Sequence, residues 1–234
     1  MNNERKIINQ ERSGVNSFLA KMYAFMAGAV GISAFVAYLI NNVYYEQTMT
    51  FIAQNRFMLF VLIGLQFFIA LSMSFKANRA PAITGLGLVV FAAIQGLFFG
   101  IVLSVYTAAD VTMAFVAAAA VFLSMATIGT VTKRDLSKIG TQALAALIGL
   151  VVVSVINIFL QSTMIQFVFS FFGVLIFTAL TAWDAQKFKL LYQQTGGAQV
   201  SATNLALMGA LQLYLDFVNL FISLLNIFTG FNNK

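Results

Sequence analysis

The chain has 234 residues, of which 61% are hydrophobic and 9% are charged, and its mean hydropathy is +0.91. An average soluble domain has about a quarter of its residues charged, so this composition predicts an all-α integral membrane protein without a separate soluble domain. Cysteine and histidine are absent, which excludes disulfides, thiolate or imidazole metal sites and a Ser-His-Asp triad. The net charge of +6 comes from basic residues scattered between hydrophobic segments, which indicates membrane orientation rather than nucleic-acid binding.

The N-terminal residues 1–17 are polar and lack the apolar stretch of a signal peptide, so we predict a disordered cytoplasmic tail. Residues 18–234 are predicted to form one transmembrane domain, a bundle of seven helices. Short connections between hydrophobic segments favour antiparallel neighbours, and the period-2 alternation of a membrane barrel is absent. The seven segments are 18–40, 57–75, 82–106, 111–131, 141–160, 164–190 and 203–229.

The distribution of lysine and arginine predicts the orientation of the bundle. With the N-terminus inside and seven spans, eleven of the 13 basic residues fall on the cytoplasmic side. Only Arg56 and Lys234 fall outside, so we expect the C-terminus to lie outside. The eleven inside residues are Arg5, Lys6, Arg12, Lys21, Lys76, Arg79, Lys133, Arg134, Lys138, Lys187 and Lys189.

Two local features concern packing. Gly96 and Gly100 form a GxxxG pattern in the third segment, which favours close helix packing within the bundle over dimerisation. Pro81, the one proline of the chain, follows a cytoplasmic turn and is predicted to begin the third helix.

The last hydrophobic segment contains a narrow row of polar residues, which we call the polar row. At 3.6 residues per turn its five members fall within an arc of about 80°. Between 211 and 228 the remaining residues are apolar apart from the amphipathic Tyr214, so the polar row must face other helices or internal water. Hydrogen bonds between helices would explain the uncharged members. The polar row consists of Gln212, Asp216, Asn219, Ser223 and Asn226.

Asp216 needs a further explanation because a charged Asp near the bilayer centre costs about 2.5–3.5 kcal/mol on insertion scales. The candidate partner is Asp184, near the cytoplasmic end of the preceding segment. Both residues belong to the cytoplasmic half, where two facing carboxylates would share a proton or bind Ca²⁺ through oxygen. The alternative for Asp184 is an ordinary ion pair with Lys187 or Lys189.

Residues 213–221, Leu-Tyr-Leu-Asp-Phe-Val-Asn-Leu-Phe, closely resemble the last-helix motif of the transmembrane Bax inhibitor motif family, also called the Bax inhibitor-1 family. Asp184 lies where that family has its other aspartate, one helix earlier. Residues 132–137, Thr-Lys-Arg-Asp-Leu-Ser, resemble the family's loop between helices four and five. The resemblance spans nearly the whole chain. Ala-Trp before Asp184 and a long loop at 191–204 are departures, and neither removes a carboxylate.

This resemblance implies seven helices with the last one central, and an aspartate pair that senses pH and closes a calcium leak path. It also implies a basic latch residue from the second helix, for which Lys76 and Arg79 are the candidates. We therefore expect a pH-sensitive calcium channel in a bacterial plasma membrane, with lipid, Ca²⁺ and protons as its partners. No cofactor is expected, and Ca²⁺ is expected as the bound or transported ion, held by Asp184 and Asp216.

Two other function classes remain open. An intramembrane aspartyl protease also has aspartates on its sixth and seventh helices, but Asp216 is preceded by Leu-Tyr-Leu instead of Gly-x-Gly, so we predict that the chain is not an enzyme. A membrane adaptor or regulatory protein would use Asp184 and Asp216 only as structural residues. Flux measurements distinguish the channel from the adaptor, and a peptide-cleavage assay tests the protease.

Overall fold

The structure, a computed structural model, describes residues 2–75, 80–195 and 201–232. Over these ranges it contains helices and their connections, with no strand. The seven predicted hydrophobic segments are all helical. The helices are α1 (Asn2–Asn42), α2 (Tyr45–Gln54), α3 (Arg56–Phe75), α4 (Pro81–Val102), α5 (Ala108–Val131), α6 (Ser137–Leu160), α7 (Thr163–Thr195) and α8 (Ala202–Asn232), with a short 3₁₀ turn at Leu103–Val105.

Six helices in the described ranges are long and apolar enough to cross a membrane, and they are α1 (from Ser13), α4, α5, α6, α7 and α8. The predicted second span, α3, provides a shorter apolar stretch at Phe60–Met73, so these criteria confirm six spans and not the count of seven. In α8, 72% of the most apolar stretch is buried, against 17–33% in the other five. The chain is therefore an all-α multi-pass membrane protein whose last helix is its most buried span.

One prediction about the N-terminal part is wrong, and one helix was not predicted. Residues 2–17 are the beginning of α1 and not a disordered tail, because a polar segment rich in Glu, Lys, Arg and Gln propagates a helix readily from the apolar segment that follows. The connection predicted between the first two spans contains α2, which is too short and too polar to give a hydrophobic signal. Pro81 begins α4 as predicted, since its missing N–H is not needed in the first helical turn.

The chain divides into two compact units. The first unit contains the helices up to Val105 and the described residues of the range Phe188–Leu211. Within it, α1 packs on α4 through the predicted GxxxG pattern, and a Cβ added at Gly96 would lie 2.6 Å from the Ser33 carbonyl oxygen. The Ser33 hydroxyl donates a hydrogen bond of 2.7 Å to the carbonyl of Ala92. The pattern thus serves packing inside one chain.

The second unit contains Tyr106–Lys187 and the chain from Gln212 onward. Within it, α8 contacts α5 through ring pairs such as Phe122 with Phe217, whose centroids lie 5.8 Å apart in a T-shaped arrangement. It contacts α7 where Gly173 faces Ser223, since a Cβ at this glycine would lie 2.6 Å from the serine oxygen. Both predicted aspartates belong to the second unit.

Candidate functional site

The site is built on residues 182–187 of α7, here called the Asp184 segment. Gly129 of α5 lies directly against the backbone of Ala182, and Gly140 of α6 lies directly against the ring of Trp183. A Cβ at either glycine would overlap these atoms, so α5 approaches the backbone of α7 closely at Gly129, and α6 packs against the Trp183 ring at Gly140. These contacts hold the Asp184 segment in place from two sides.

Asp184 and Asp216 face each other across the contact of α7 with α8. Asp184 is 0% exposed and Asp216 is 2% exposed. Their side chains lie within hydrogen-bond reach of each other, and Gln212 lies within hydrogen-bond reach of Asp184. An ionised carboxylate is only an acceptor, so a hydrogen bond between the two requires a proton on one of them. The arrangement can therefore hold one shared proton, and we call it the aspartate pair.

One oxygen of each carboxyl group has no donor among the described residues. These oxygens are Oδ2 of Asp184 and Oδ2 of Asp216, and both are fully buried. A buried polar atom without a partner costs about 1–3 kcal/mol, and more if it is charged. A proton or a cation placed between the carboxyl groups would satisfy these oxygens.

Lys187 is the basic residue that contacts the aspartate pair in the described structure. Its Nζ lies 3.4 Å from Oδ1 of Asp184 and 4.8 Å from the centroid of the Trp183 ring. Both interactions that the sequence suggested for Asp184 therefore occur together: this residue faces Asp216 and also forms an ion pair with Lys187. The predicted latch residues Lys76 and Arg79 lie outside the described residues.

None of the five members of the polar row of α8 is exposed: Asp216 and Ser223 are buried, and Gln212, Asn219 and Asn226 are half-buried. Ser223 lies against Gly173, while Asn219 donates a hydrogen bond of 2.8 Å to the carbonyl of Leu215 in its own helix. Asn226 accepts a hydrogen bond of 3.1 Å from the hydroxyl of Tyr106. The sequence predicted that the uncharged members form hydrogen bonds outside α8. Asn226 does so with Tyr106, whereas Asn219 bonds within its own helix.

Gln186 is a site residue that the sequence interpretation missed. This buried side chain accepts a hydrogen bond of 2.9 Å from the N–H of Leu136 and donates one of 2.8 Å to the carbonyl of Arg134. It thereby joins the loop between α5 and α6 to the Asp184 segment. The sequence feature that could have revealed this residue is a glutamine two positions after Asp184 in a hydrophobic segment.

The same loop contains Asp135, which is fully exposed. Hydrogen bonds from the hydroxyl and the N–H of Ser137 lower the pKa of Asp135 below its usual value. The ionised carboxylate therefore satisfies a free N–H at the start of α6. This places one exposed acidic group among the basic residues of the loop.

A resident metal ion would need more oxygen ligands than the aspartate pair offers. Ca²⁺ takes six to eight oxygen ligands. The described residues contain no group of three or more acidic, histidine or cysteine side chains that could hold a metal. The pair, with the amide of Gln212 beside it, offers hard oxygen atoms of the kind that bind protons and cations.

Comparison with known proteins assigns the chain to a family. The family model described as "Inhibitor of apoptosis-promoting Bax1" matches residues 15–233. A membrane protein of Streptococcus pyogenes serotype M3 is 38% identical over 227 residues, covering 97% of this chain and 98% of the relative. The inner membrane protein YbhL of Escherichia coli K12 is 35% identical over 223 residues, covering 94% of each. The protein YrjE of Lactococcus lactis is 36% identical over 232 residues, covering 97% of each. The chain therefore belongs to the Bax inhibitor-1 family of membrane proteins.

Proposed function

We propose that the chain is a pH-sensitive leak path for Ca²⁺ or another cation, opened and closed by the aspartate pair. The observation that carries this proposal is the burial of Asp184 and Asp216 within hydrogen-bond reach of each other. Loss of the shared proton leaves two negative charges side by side in a low dielectric, which favours either separation of the helices or entry of a cation. The proposed activity is transport and involves no catalysed reaction.

The polar row supports a path for a hydrated ion beyond the aspartate pair. From Gln212 to Asn226 it runs along about 21 Å of α8, at a rise of 1.5 Å per residue. Asp216 and Ser223 of this row are buried, whereas Gln212, Asn219 and Asn226 keep partial exposure. Side-chain oxygens along this row would replace part of the hydration shell of a moving cation.

We further propose seven spans, with the N-terminus in the cytoplasm and the C-terminus outside a bacterial plasma membrane. The asymmetry of the basic residues supports this orientation, and the relative YbhL is named an inner membrane protein. A reporter enzyme that works only outside the cell, fused after Lys234, should be active. Activity of a reporter that works only in the cytoplasm would instead mean an even number of spans.

Asp216→Asn tests the function itself. The amide keeps the shape and hydrogen-bonding ability of the carboxyl group and removes its charge and titration. We expect a folded, membrane-inserted protein whose Ca²⁺ flux in proteoliposomes no longer responds to pH as in the unaltered chain. The flux is measured against K⁺ and H⁺ flux over a pH series at matched protein levels.

Asn219→Leu is the matched control on the same face of α8. It removes polarity from the polar row without changing the aspartate pair, so the amplitude of the flux should fall while its pH profile keeps its shape. An unchanged pH profile in Asp216→Asn would contradict the proposed sensor. The adaptor with structural aspartates would then be the better account.

A further inference from the structure

The position of Lys187 suggests more than an ordinary surface ion pair. Its side chain is 40% exposed, whereas the side chain of Asp184 that it contacts is 1% exposed. The ammonium therefore lies at the boundary between the buried aspartate pair and the exposed surface of α7. Its charge acts on Asp216 as well as on Asp184. A free cation that approached the pair from this side would meet a positive charge already in place.

Two contacts fix the ammonium there. Asp184 and Trp183 precede Lys187 by three and four residues, so one face of α7 presents the carboxylate and the indole ring to the same ammonium. The indole ring is itself held by its contact with Gly140 of α6. Lys187 therefore differs from an exposed lysine that samples many rotamers, because the ring and the carboxylate restrict it to one region.

We propose that Lys187 is a tethered cation of the aspartate pair, a positioning residue that competes with free cations for the two carboxyl groups. The proposal rests on the proposed function, because it concerns the same site. The ammonium supplies the positive charge that a passing ion would otherwise supply, and it must be displaced before a divalent cation can bind both carboxylates. Removing its charge should strengthen cation binding at the pair, and restoring the charge in another side chain should reverse this effect.

The single tryptophan of the chain makes this competition measurable. Trp183 is adjacent to Asp184, so a Tb³⁺ ion bound at the pair should be sensitised by selective excitation of this indole. Tb³⁺ prefers oxygen ligands as Ca²⁺ does. The experiment titrates Tb³⁺ into the full chain in detergent, measures sensitised luminescence, and then displaces Tb³⁺ with Ca²⁺. A chelator buffer sets the free Tb³⁺ so that its hydroxide does not precipitate, and each variant is compared at mildly alkaline pH, where a further rise in pH no longer changes its affinity.

Lys187→Met is the main variant because it keeps an unbranched stem against Trp183 and removes only the charge. We expect its Tb³⁺ affinity at the alkaline plateau to be roughly three- to tenfold tighter than that of the unaltered chain. Lys187→Arg keeps the charge and should bind Tb³⁺ as the unaltered chain does. Lys138→Met removes an exposed lysine from the start of α6 and controls for the general surface potential. Lys187→Gln is the second neutral variant, used if the methionine variant does not fold.

Two results would overturn the inference. Equal or weaker Tb³⁺ affinity in a folded, neutral Lys187 variant would show that the ammonium does not compete with cations. An equal gain in Lys138→Met would assign the effect to surface charge instead. The proposed function fails separately, if Asp216→Asn leaves Tb³⁺ binding unchanged, because the pair would then not be the cation site.

Discussion

Two pairs of helices in this chain approach each other through glycine, and they differ in what they bury beside it. In the first unit, Gly96 brings α4 against α1, and the buried polar neighbour is Ser33, whose hydroxyl donates to the carbonyl of Ala92. In the second unit, Gly129 brings α5 against α7 at the backbone of Ala182, two residues before Asp184. Asp184 and Asp216 each have a buried oxygen that no described donor reaches. A close glycine contact thus lies beside a hydrogen-bonded hydroxyl group in the first unit. In the second unit, a similar contact lies near a carboxyl pair with unpaired oxygens.

This difference separates a structural interface from a functional one in physical terms. A hydroxyl bonded to a carbonyl has one stable arrangement and gains nothing from a change of environment. Two carboxyl groups in low dielectric change their interaction whenever a proton or a cation arrives or leaves. Because the helices around the pair are tightly packed, a change in the repulsion between the carboxyl groups changes the relative energy of alternative positions of these helices.

The largest expected effect comes from adding one methyl group at the α5–α7 contact. In Gly129→Ala the new Cβ meets the backbone of Ala182, which cannot rotate away, so we expect a loss of about 3 kcal/mol in the free energy of unfolding. Gly96→Ala should destabilise the α1–α4 interface by about 1–3 kcal/mol. Unfolding in SDS, followed by circular dichroism, measures both. Only Gly129→Ala should also alter the pH profile of Ca²⁺ flux.

Gly149→Ala is the control for this pair, because nothing lies within 4 Å of the added Cβ. It should leave the stability unchanged or raise it by up to about 1 kcal/mol through helix propensity. Equal losses in Gly149→Ala and Gly129→Ala would contradict the close-contact explanation. A change of pH profile in Gly96→Ala would remove the distinction between the two interfaces.

The next effect concerns the connection of the α5–α6 loop to the Asp184 segment. Gln186→Leu leaves the N–H of Leu136 and the carbonyl of Arg134 without their partner, which should cost about 1–2 kcal/mol because water can reach part of the loop. The released loop should be cut by trypsin after Lys133 and Arg134 several times faster in detergent. Gln166→Leu, at an exposed position of the same helix, should leave the cleavage rate unchanged.

The smallest expected effect is that of Ser33→Ala in the first unit. It removes a hydrogen bond of 2.7 Å to Ala92, and the stability should fall by about 1 kcal/mol, within the range of interhelical hydrogen bonds in membranes. The pH profile of Ca²⁺ flux should stay as in the unaltered chain. A shifted profile here would mean that sensing does not depend on the carboxyl groups of the second unit alone.

Much of the fold could be predicted because long apolar segments have few alternatives in a bilayer. Hydropathy placed all seven helical segments, and Pro81 gave the start of α4. The helix of residues 2–17 and the short α2 were missed because polar helices depend on propensity and on neighbouring structure rather than on an apolar run. The prediction of a disordered tail was wrong for this reason.

The candidate site was partly visible for a different reason. The period of the polar row predicted that Asp216 lies on a buried face of α8, and the antiparallel order of the last two spans predicted that Asp184 lies near it. Both residues are buried. The contacts of Gly129, Gly140 and Gln186 depend on which helices meet, and one sequence does not contain that information. Glycine is common in membrane helices, so these two glycines gave no distinct signal.

The burial of α8 has a consequence for how the protein is made. Because α8 follows α5, α6 and α7 in the chain, its partners in the second unit are synthesised before it. Asp216 would cost about 2.5–3.5 kcal/mol if it entered lipid alone. When α8 leaves the translocon, Asp184 and Lys187 are already available to receive this side chain, so insertion and tertiary packing are expected to occur together. Biogenesis of this helix would then depend on the integrity of α7, and a variant that disrupts the Asp184 segment should yield chains whose last span fails to insert.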